Sequence, residues 1–482
     1  MAESKSLNIM GEKIRIPSDI IFDEEIVGEI NSNPALKQIV SFAKEFFIPI
    51  WHNKNEKIDG INQILPWIVF GENPVIITRQ KRENSHLTPE EFLSNFLEIN
   101  EEKIDFGNIG MLSLSKEVRY FSDELVSSLL KSFYSGNWIL GPEVKELEKA
   151  TCEKIGAKYS VGVNSGTDAL VIGLRAIALS RFNKEFFSKE EDEIIVPDLT
   201  FLATAEAVIL SGATPVIANV DEKTYTISPE SIEESITKKT RGIVVVHLYG
   251  LPADMDAILD IAKRHNLFVV EDCAQSFYSK FNGKYTGTIG DVGCFSFFPS
   301  KNLGGHGDGG VIATNDQKIY EYASILGKHG SKIRDYAEYI GMNSRLDTIQ
   351  ASLLLKKLDK IEFFTERRRK IAEIYNREIN HPDIILPYEP PKRFHVYHQY
   401  TIRLKRKKAD ELRDFLSRNN IETRVYYPYP MHKVPSIARN SKVYDNLYTE
   451  EITKQILSLP IEPLHPDALI KHISRKITEF MR

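Results

Sequence analysis

From about residue 112 onward the chain alternates short β-branched runs with longer helical stretches. The runs are "YSVGV" at 159–163, "EIIVP" at 193–197, "TPVIANV" at 214–220, "GIVVVHL" at 242–248, "LFVVED" at 267–272 and "CFSFF" at 294–298. Stretches such as "TDALVIGLRAIAL" and "DMDAILDIAKRH" fall between them. Near-continuous apolar strands joined by helices specify an α/β fold, with a largely parallel sheet covered on both faces. In such sheets ligands bind beyond the carboxyl ends of the strands, so the residues just after each run are the first candidates for chemistry.

The sequence divides into three parts. A large domain over 111–355 holds the alternating pattern. A smaller α/β domain over 356–482 follows, with a charged helix, a strand-like "YHQYTIRLK", a helix "KADELRDFLSRNN" and a strand "IETRVYYP". Residues 1–110 form a mixed α/β extension of unknown role. There, Leu36, Ile39, Val40, Ala43, Phe46 and Phe47 share one helical face, started by Asn33 and Pro34. "WIVF" and "VIIT" read as strands split by "GENP", and Thr88, Pro89 and Glu91 open a second helix as a capping box. Trp51, His52 and His86 are read as surface or core residues and receive no role.

A net charge of −5 over 482 residues gives no electrostatic footprint for nucleic acid or an anionic membrane, which leaves small molecules and proteins as partners. The three cysteines, Cys152, Cys273 and Cys294, are odd in number and scattered, as suits reduced thiols in a cytosolic protein. The first residues lack the apolar core of a signal peptide, and no run approaches the length of a membrane-spanning helix. A soluble, cytoplasmic protein is expected. The "RRRK" run at 367–370 is expected to be a solvated helix face.

The strand ends carry the chemistry. After "YSVGV", Ser165, Gly166 and Thr167 open a helix, where free N–H groups, hydroxyls and the positive end of the dipole suit a phosphate. The same residues would also serve simply as a helix cap. After "EIIVP" stands Phe201, either a core residue or a flat face for a planar cofactor. "LFVVED" ends in Glu271 and Asp272, and alternation sends one toward the site and the other away. An acid there caps a helix, or pairs with a ring nitrogen and keeps it protonated. "CFSFFPSK" places Ser296 in a strand and Lys301 just beyond it, where an amine held among apolar groups has a lowered pKa and attacks aldehydes. A phosphate cup, a stacking ring, a ring-nitrogen acid and a Schiff-base lysine, in that order on successive strand ends, jointly specify a pyridoxal phosphate enzyme.

These residues resemble the DegT-type sugar aminotransferases, members of the aspartate aminotransferase (type I) fold. The resemblance covers about 112–482 through "SGNWILGPEVKELE", "NSGTDAL", "LTFLATAEAV", "VVEDCAQS", "GDVGCFSFFPSKNLGGHGDGG", "GMNSRLDTIQASLL" and "YYPYPMH". It implies a mostly parallel seven-stranded sheet and a small C-terminal domain. It further implies that Lys301 binds the cofactor and moves the proton, that Asp272 holds the pyridinium nitrogen and that Gln275 touches the ring hydroxyl. Phe201 would stack on the ring, while Ser165, Gly166, Thr167 and Ser296 hold the phosphate. Asn343 would reach it from a second subunit, in a homodimer with shared sites and no metal. The implied reaction moves an amino group from an amino acid, usually glutamate, to a keto group of a nucleotide-linked deoxysugar. Lysine at 301, where dehydratase relatives carry histidine, argues for transamination, and the loop "KNLGGHGDGG" resembles that of members acting on 3-keto sugars. His306 and Tyr426 are the candidate sugar contacts, Tyr426 standing where relatives often have histidine. Alternatives within the family are enzymes acting on cyclitols or other cyclic ketones, and outside catalysis a pyridoxal-binding regulatory protein. Cell-surface polysaccharide synthesis is the implied setting.

Overall fold

The protein is described by a computed structural model over residues 5–9, 12–16, 107–333, 335–405, 409–444 and 447–482. The elements expected between 33 and 100, with Trp51, His52 and His86, lie outside the described residues. Two compact units are present. The first contains 5–9, 12–16 and 113–127, with strands Lys5–Ile9 and Glu12–Ile16 paired antiparallel and a helix at Leu114–Tyr120. The second contains 107–112 and the described residues of 128–482.

An eight-stranded sheet organises the second unit. Numbered in chain order, its strands are β1 Tyr159–Val163, β2 Glu193–Pro197, β3 Thr214–Ala218, β4 Thr240–Val246, β5 Phe268–Asp272, β6 Val292–Ser296, β7 Gly310–Thr314 and β8 Lys442–Val443. They lie in the order β8-β3-β2-β4-β5-β6-β7-β1. Neighbours pair in parallel except around β7, which is antiparallel to both β6 and β1. The seven expected strands are therefore joined by an eighth, the two-residue β8, on the outer edge of β3. β7 was missing from the runs read as strands, although "GVIAT" is β-branched, because it directly follows the glycine-rich loop. β6 begins and ends two residues earlier than expected, which leaves Phe297 and Phe298 beyond the strand.

Alternation along the strands explains the two layers. Ile194, Val196, Ile217 and Val244 pack into one core with the helix Gly166–Phe182, every residue of which from Ala169 to Leu179 is buried. Ile195, Val216, Ala218, Ile243 and Val245 pack into another with Ile232 of helix Pro229–Ser235 and Met255, Ile258 and Ile261 of helix Met255–His265. The period of two thus buries both faces of a parallel sheet.

The C-terminal part has its own apolar core, built from Ile371, Tyr375, Tyr400, Ile402, Leu457, Leu459, Ile470 and Ile473. Its three-stranded antiparallel sheet has Tyr400–Leu404 between Ile384–Ile385 and Ile456–Leu459. The expected strand "IETRVYYP" does not form. Ile421 and Arg424 make single bridges to Ile109 and Ser458. Beyond Arg424 the chain leaves the sheet, and Pro428 and Pro430 have no N–H to offer a ladder. The "RRRK" run is also not a solvated face. Arg367 donates to the Pro463 and His465 carbonyls and to Asp467, buried Arg368 to the Ile461 carbonyl, and Arg369 to Glu389 and the His395 carbonyl. Clustered guanidinium forks here gather carbonyls of neighbouring segments. All three cysteines are unpaired, with Cys273 and Cys294 buried. Among the described residues no helix is long and apolar enough to cross a membrane.

Candidate active site

Three strand ends and a helix start meet to form a small cup. Ser165 caps the helix Gly166–Phe182, its Oγ accepting the Asp168 N–H at 3.0 Å. The first-turn N–H groups that follow have no intrahelical acceptor and face outward along the axis. A β-carbon on Gly166 would come within 2.6 Å of Ser296 Cβ, so the helix start sits directly against the end of β6. Gly310 lies in register with both Ser296 and Val163, and a β-carbon there would meet the Ser165 carbonyl at 2.5 Å. Two glycines therefore let the cup close. The "GMNSRLD" loop also reaches it: Ser344 Oγ accepts the Asn164 N–H at 3.1 Å and donates to Asp168 at 2.7 Å. Its neighbour Asn343 is exposed on the single chain.

The two acids ending β5 divide as alternation requires. Buried Glu271 accepts the N–H groups of Gly287, Ile289 and Gly290 at 2.7–2.9 Å. Its remaining partner is His247, 2.9 Å away through Nε2; His247 Nδ1 accepts the Ala253 N–H, which leaves Nε2–H as the donor to Glu271. Glu271 is thus satisfied within the fold. Asp272, 5% exposed, accepts from Thr204 Oγ1 at 2.8 Å and from the Ala274 N–H at 3.1 Å. Burial pushes its carboxyl above the usual range, against the lowering pull of these two donors and of the charge on Lys301. Thr204 is in turn bonded to Thr200 at 2.8 Å, so the loop after β2 holds the acid.

Lys301 stands on the turn after β6, its N–H on the Phe298 carbonyl. Burial lowers its ammonium pKa to about 8, while Asp272 pulls the other way. The next residue, Asn302, accepts from His398 Nδ1 at 2.9 Å. His398 is buried, and desolvation with the nearby Lys301 and Arg368 charges holds it neutral, well below the usual imidazole range. On the far side Gln350 accepts the His306 N–H at 2.9 Å, and Lys357 donates to the Gly304 carbonyl. The glycine-rich loop is therefore braced along its length, with the His306 side chain exposed.

Phe201 is 52% exposed at the start of helix Leu202–Leu210, which settles that it is not a core residue. Its ring meets Tyr427 at 5.7 Å between centroids. Gln275, buried three residues beyond Asp272, accepts the Tyr249 N–H at 2.6 Å and donates to the Tyr427 hydroxyl at 2.9 Å. Burial and the Asp272 charge push the Tyr427 hydroxyl well above its ordinary pKa. Half-buried Tyr426 contributes its carbonyl to the Tyr249 hydroxyl. Tyr427, Thr204, Tyr249 and His398 were missed by sequence reasoning. For Tyr427 the "YYP" motif pointed at the right segment, where the sequence singled out its neighbour Tyr426; the other three carry no local signal.

This arrangement fits pyridoxal phosphate. A cup whose floor a single β-carbon would fill suits the phosphate, an exposed ring offers a stacking face, a buried carboxylate waits at a strand end, and an amine with pKa near 8 stands within its field. Fold and site together define a type I pyridoxal-phosphate-dependent enzyme, and its cofactor is pyridoxal phosphate. The model of the DegT/DnrJ/EryC1/StrS aminotransferase family matches residues 120–478, and the chain belongs to that family. It is a sugar aminotransferase in class. The chain is 40% identical to a pleiotropic regulatory protein of Geobacillus stearothermophilus over 78% of its own length and 99% of the relative's. It is 38% identical to a UDP-N-acetyl-3-dehydro-alpha-D-glucosamine 3-aminotransferase of Acidithiobacillus ferrooxidans, over 74% and 93%. Among solved structures it resembles S. venezuelae DesV in complex with a ketimine intermediate, with a TM-score of 0.73, 36% identity, and coverage of 78% and 98%.

Proposed function

We propose that the protein transfers an amino group from L-glutamate to the C-3 keto group of a nucleotide-linked keto-deoxysugar. The observation that carries the chemistry is that Lys301, on the turn after β6 with its pKa lowered to about 8 by burial, and Asp272, buried at the end of neighbouring β5, lie within each other's field. The acceptor is inferred from the similarity to the Acidithiobacillus 3-aminotransferase.

When bound, pyridoxal phosphate supplies an aldehyde for amines and a ring that draws electrons from the reacting carbon. The chain does the rest. Lys301 Nζ, its pKa lowered to about 8 by burial, would be the amine that holds that aldehyde and would serve as the base that takes and returns the substrate's proton. Asp272 holds a proton on the ring nitrogen. Gln275 Nε2 has a second hydrogen for the ring hydroxyl while its first stays on Tyr427. Phe201 covers one ring face. Ser165, Gly166, Thr167 and Ser296 bind the phosphate, with Asn343 of the partner subunit completing the cup in a homodimer. His306 and Tyr426 border the sugar. By sequence the chain is assigned an extension over 1–110, a large domain over 111–355 and a small domain over 356–482. A purely regulatory role, which the Geobacillus relative's name raises, is disfavoured because Lys301, Asp272 and Gln275 are all present and assembled.

Acceptor profiling tests this. With L-glutamate and matched UDP- or dTDP-linked 3-keto and 4-keto sugars, 2-oxoglutarate is expected with the 3-keto compounds, the new amine placed at C-3 by NMR. Turnover only with 4-keto sugars, or only with cyclitol ketones, contradicts the acceptor assigned.

A further inference from the structure

Two chain segments carry the aromatic residues of the site, and one hydrogen-bonded side-chain pair ties them together. The first is the loop after β2, which holds Asp198, Thr200 and Phe201. The second is the strap 425–430, with Tyr426, Tyr427 and Tyr429. One end of the strap is fixed by the reciprocal backbone bonds of Arg424 and Ser458. The other end meets Asp198. Its carboxylate is wholly buried and accepts from His432 Nδ1 at 2.7 and 2.9 Å and from the His432 N–H at 3.0 Å, while its carbonyl accepts the Met431 N–H at 2.8 Å. Nδ1 must carry a proton to bond a carboxylate, which makes this a charge-assisted contact of the stronger kind. Asp198 lies three residues before Phe201, and His432 five residues after Tyr427.

We propose that His432 is a positioning residue: through Asp198 it fixes the strap so that Tyr427 lies on Phe201 and bonds Gln275, and thereby sets the ring face and the ring-hydroxyl contact of the cofactor. The consequence for the cofactor rests on the pyridoxal phosphate reading given above; the placement of Tyr427 does not. Burial of Met431 and Ile437 in the adjoining core anchors the segment as a whole. Apolar packing is non-directional, so it leaves the register of the strap to the hydrogen bonds. A side chain held through another in this way resembles the outer partners that orient metal ligands, where loss of the second group misplaces the first.

The test uses the full chain with His432→Phe, which keeps the ring volume and removes the donor, and His432→Asn, whose Nδ2 can replace Nδ1–H. Crystal structures of the cofactor-free variants are expected to show Tyr427 away from Phe201 and Gln275 in His432→Phe and in place in His432→Asn. Pyridoxal phosphate affinity, read by fluorescence quenching below each variant's unfolding temperature, is expected to fall about tenfold in His432→Phe, as for loss of one charged hydrogen bond, with an altered circular dichroism band of the bound cofactor. His432→Asn should restore both. Tyr427 unmoved in His432→Phe overturns the proposal whether or not the wild type binds the cofactor. Should His432→Phe prove insoluble, Asp198→Asn replaces it with the same expected displacement. A wild type that binds no pyridoxal phosphate overturns the functional reading and leaves the crystal structures to judge the placement.

Discussion

Gly166 and Ser296 approach so closely that a β-carbon on the glycine would lie 2.6 Å from the serine's Cβ. The contact is what brings a helix N-terminus onto the end of β6, and it has no slack. Gly166→Ala must push Ser296 or tilt the helix start, at a cost of about 1–3 kcal/mol. Pyridoxal phosphate affinity, measured by fluorescence titration, is expected to drop about five- to a hundredfold if that cost falls on the binding-competent cup. Unchanged affinity would show that the cup is elsewhere.

Lys301 is held at a stability cost. Its pKa falls from 10.5 to about 8 on folding, so between those values the unfolded chain binds more protons, and stability rises with pH through this window. The penalty is full below about pH 8. Lys301→Met is therefore expected to stabilise the cofactor-free protein at pH 7, by on the order of 3 kcal/mol at most, and the advantage should shrink as pH rises toward 10.5. Urea unfolding at pH 7 and pH 9.5 measures both. A variant less stable than wild type at pH 7 would contradict the burial inferred for the amine.

Adjacent acids in β5 have opposite duties, so their variants should separate. Glu271→Ala leaves the N–H groups of Gly287, Ile289 and Gly290 and the His247 ring without their acceptor, and is expected to cost about 3–5 kcal/mol of stability. Asp272→Ala orphans only the Ala274 N–H, since Thr200 remains beside Thr204, and removes a carboxyl whose charged form burial disfavours, so no more than about 1–2 kcal/mol of stability should be lost, yet kcat/KM should fall roughly a thousandfold. Denaturant curves beside steady-state rates distinguish them. The reverse pattern would mean that the roles are exchanged.

Tyr427→Phe keeps the ring on Phe201 and removes the hydroxyl that accepts from Gln275. The buried amide then has an unpaired donor, and pyridoxal phosphate should bind more weakly by about 1–2 kcal/mol. Isothermal titration gives the number. If binding is unaltered, Gln275 does not need Tyr427 to be oriented.

The sheet was legible because its strands obey a single local rule, short runs apolar on both faces, and that Ser165, Gly166, Asp272, Ser296 and Lys301 would lie together was legible because each stands at the end of such a run. What stayed hidden depends on long-range partners. Nothing near Phe201 says whether its ring is exposed; that is decided by a strap more than two hundred residues later. "IETRVYYP" has the composition of a strand, but tertiary contacts of Tyr426 and Tyr427 and the prolines that follow at 428 and 430 outweigh that preference. Likewise the "RRRK" run looks solvated until the carbonyls of Ile461, Pro463 and His465 are brought beside it.

The central claim is that Lys301 holds pyridoxal phosphate and moves the proton while the amino group of glutamate is transferred. An absorption spectrum of the purified protein, taken before and after L-glutamate, tests this most directly. A visible band from the lysine-bound cofactor, converting on addition of glutamate to a near-ultraviolet band of the aminated form and absent in Lys301→Ala, is the result expected. No band after adding pyridoxal phosphate, or the same band and the same conversion in Lys301→Ala, would contradict it.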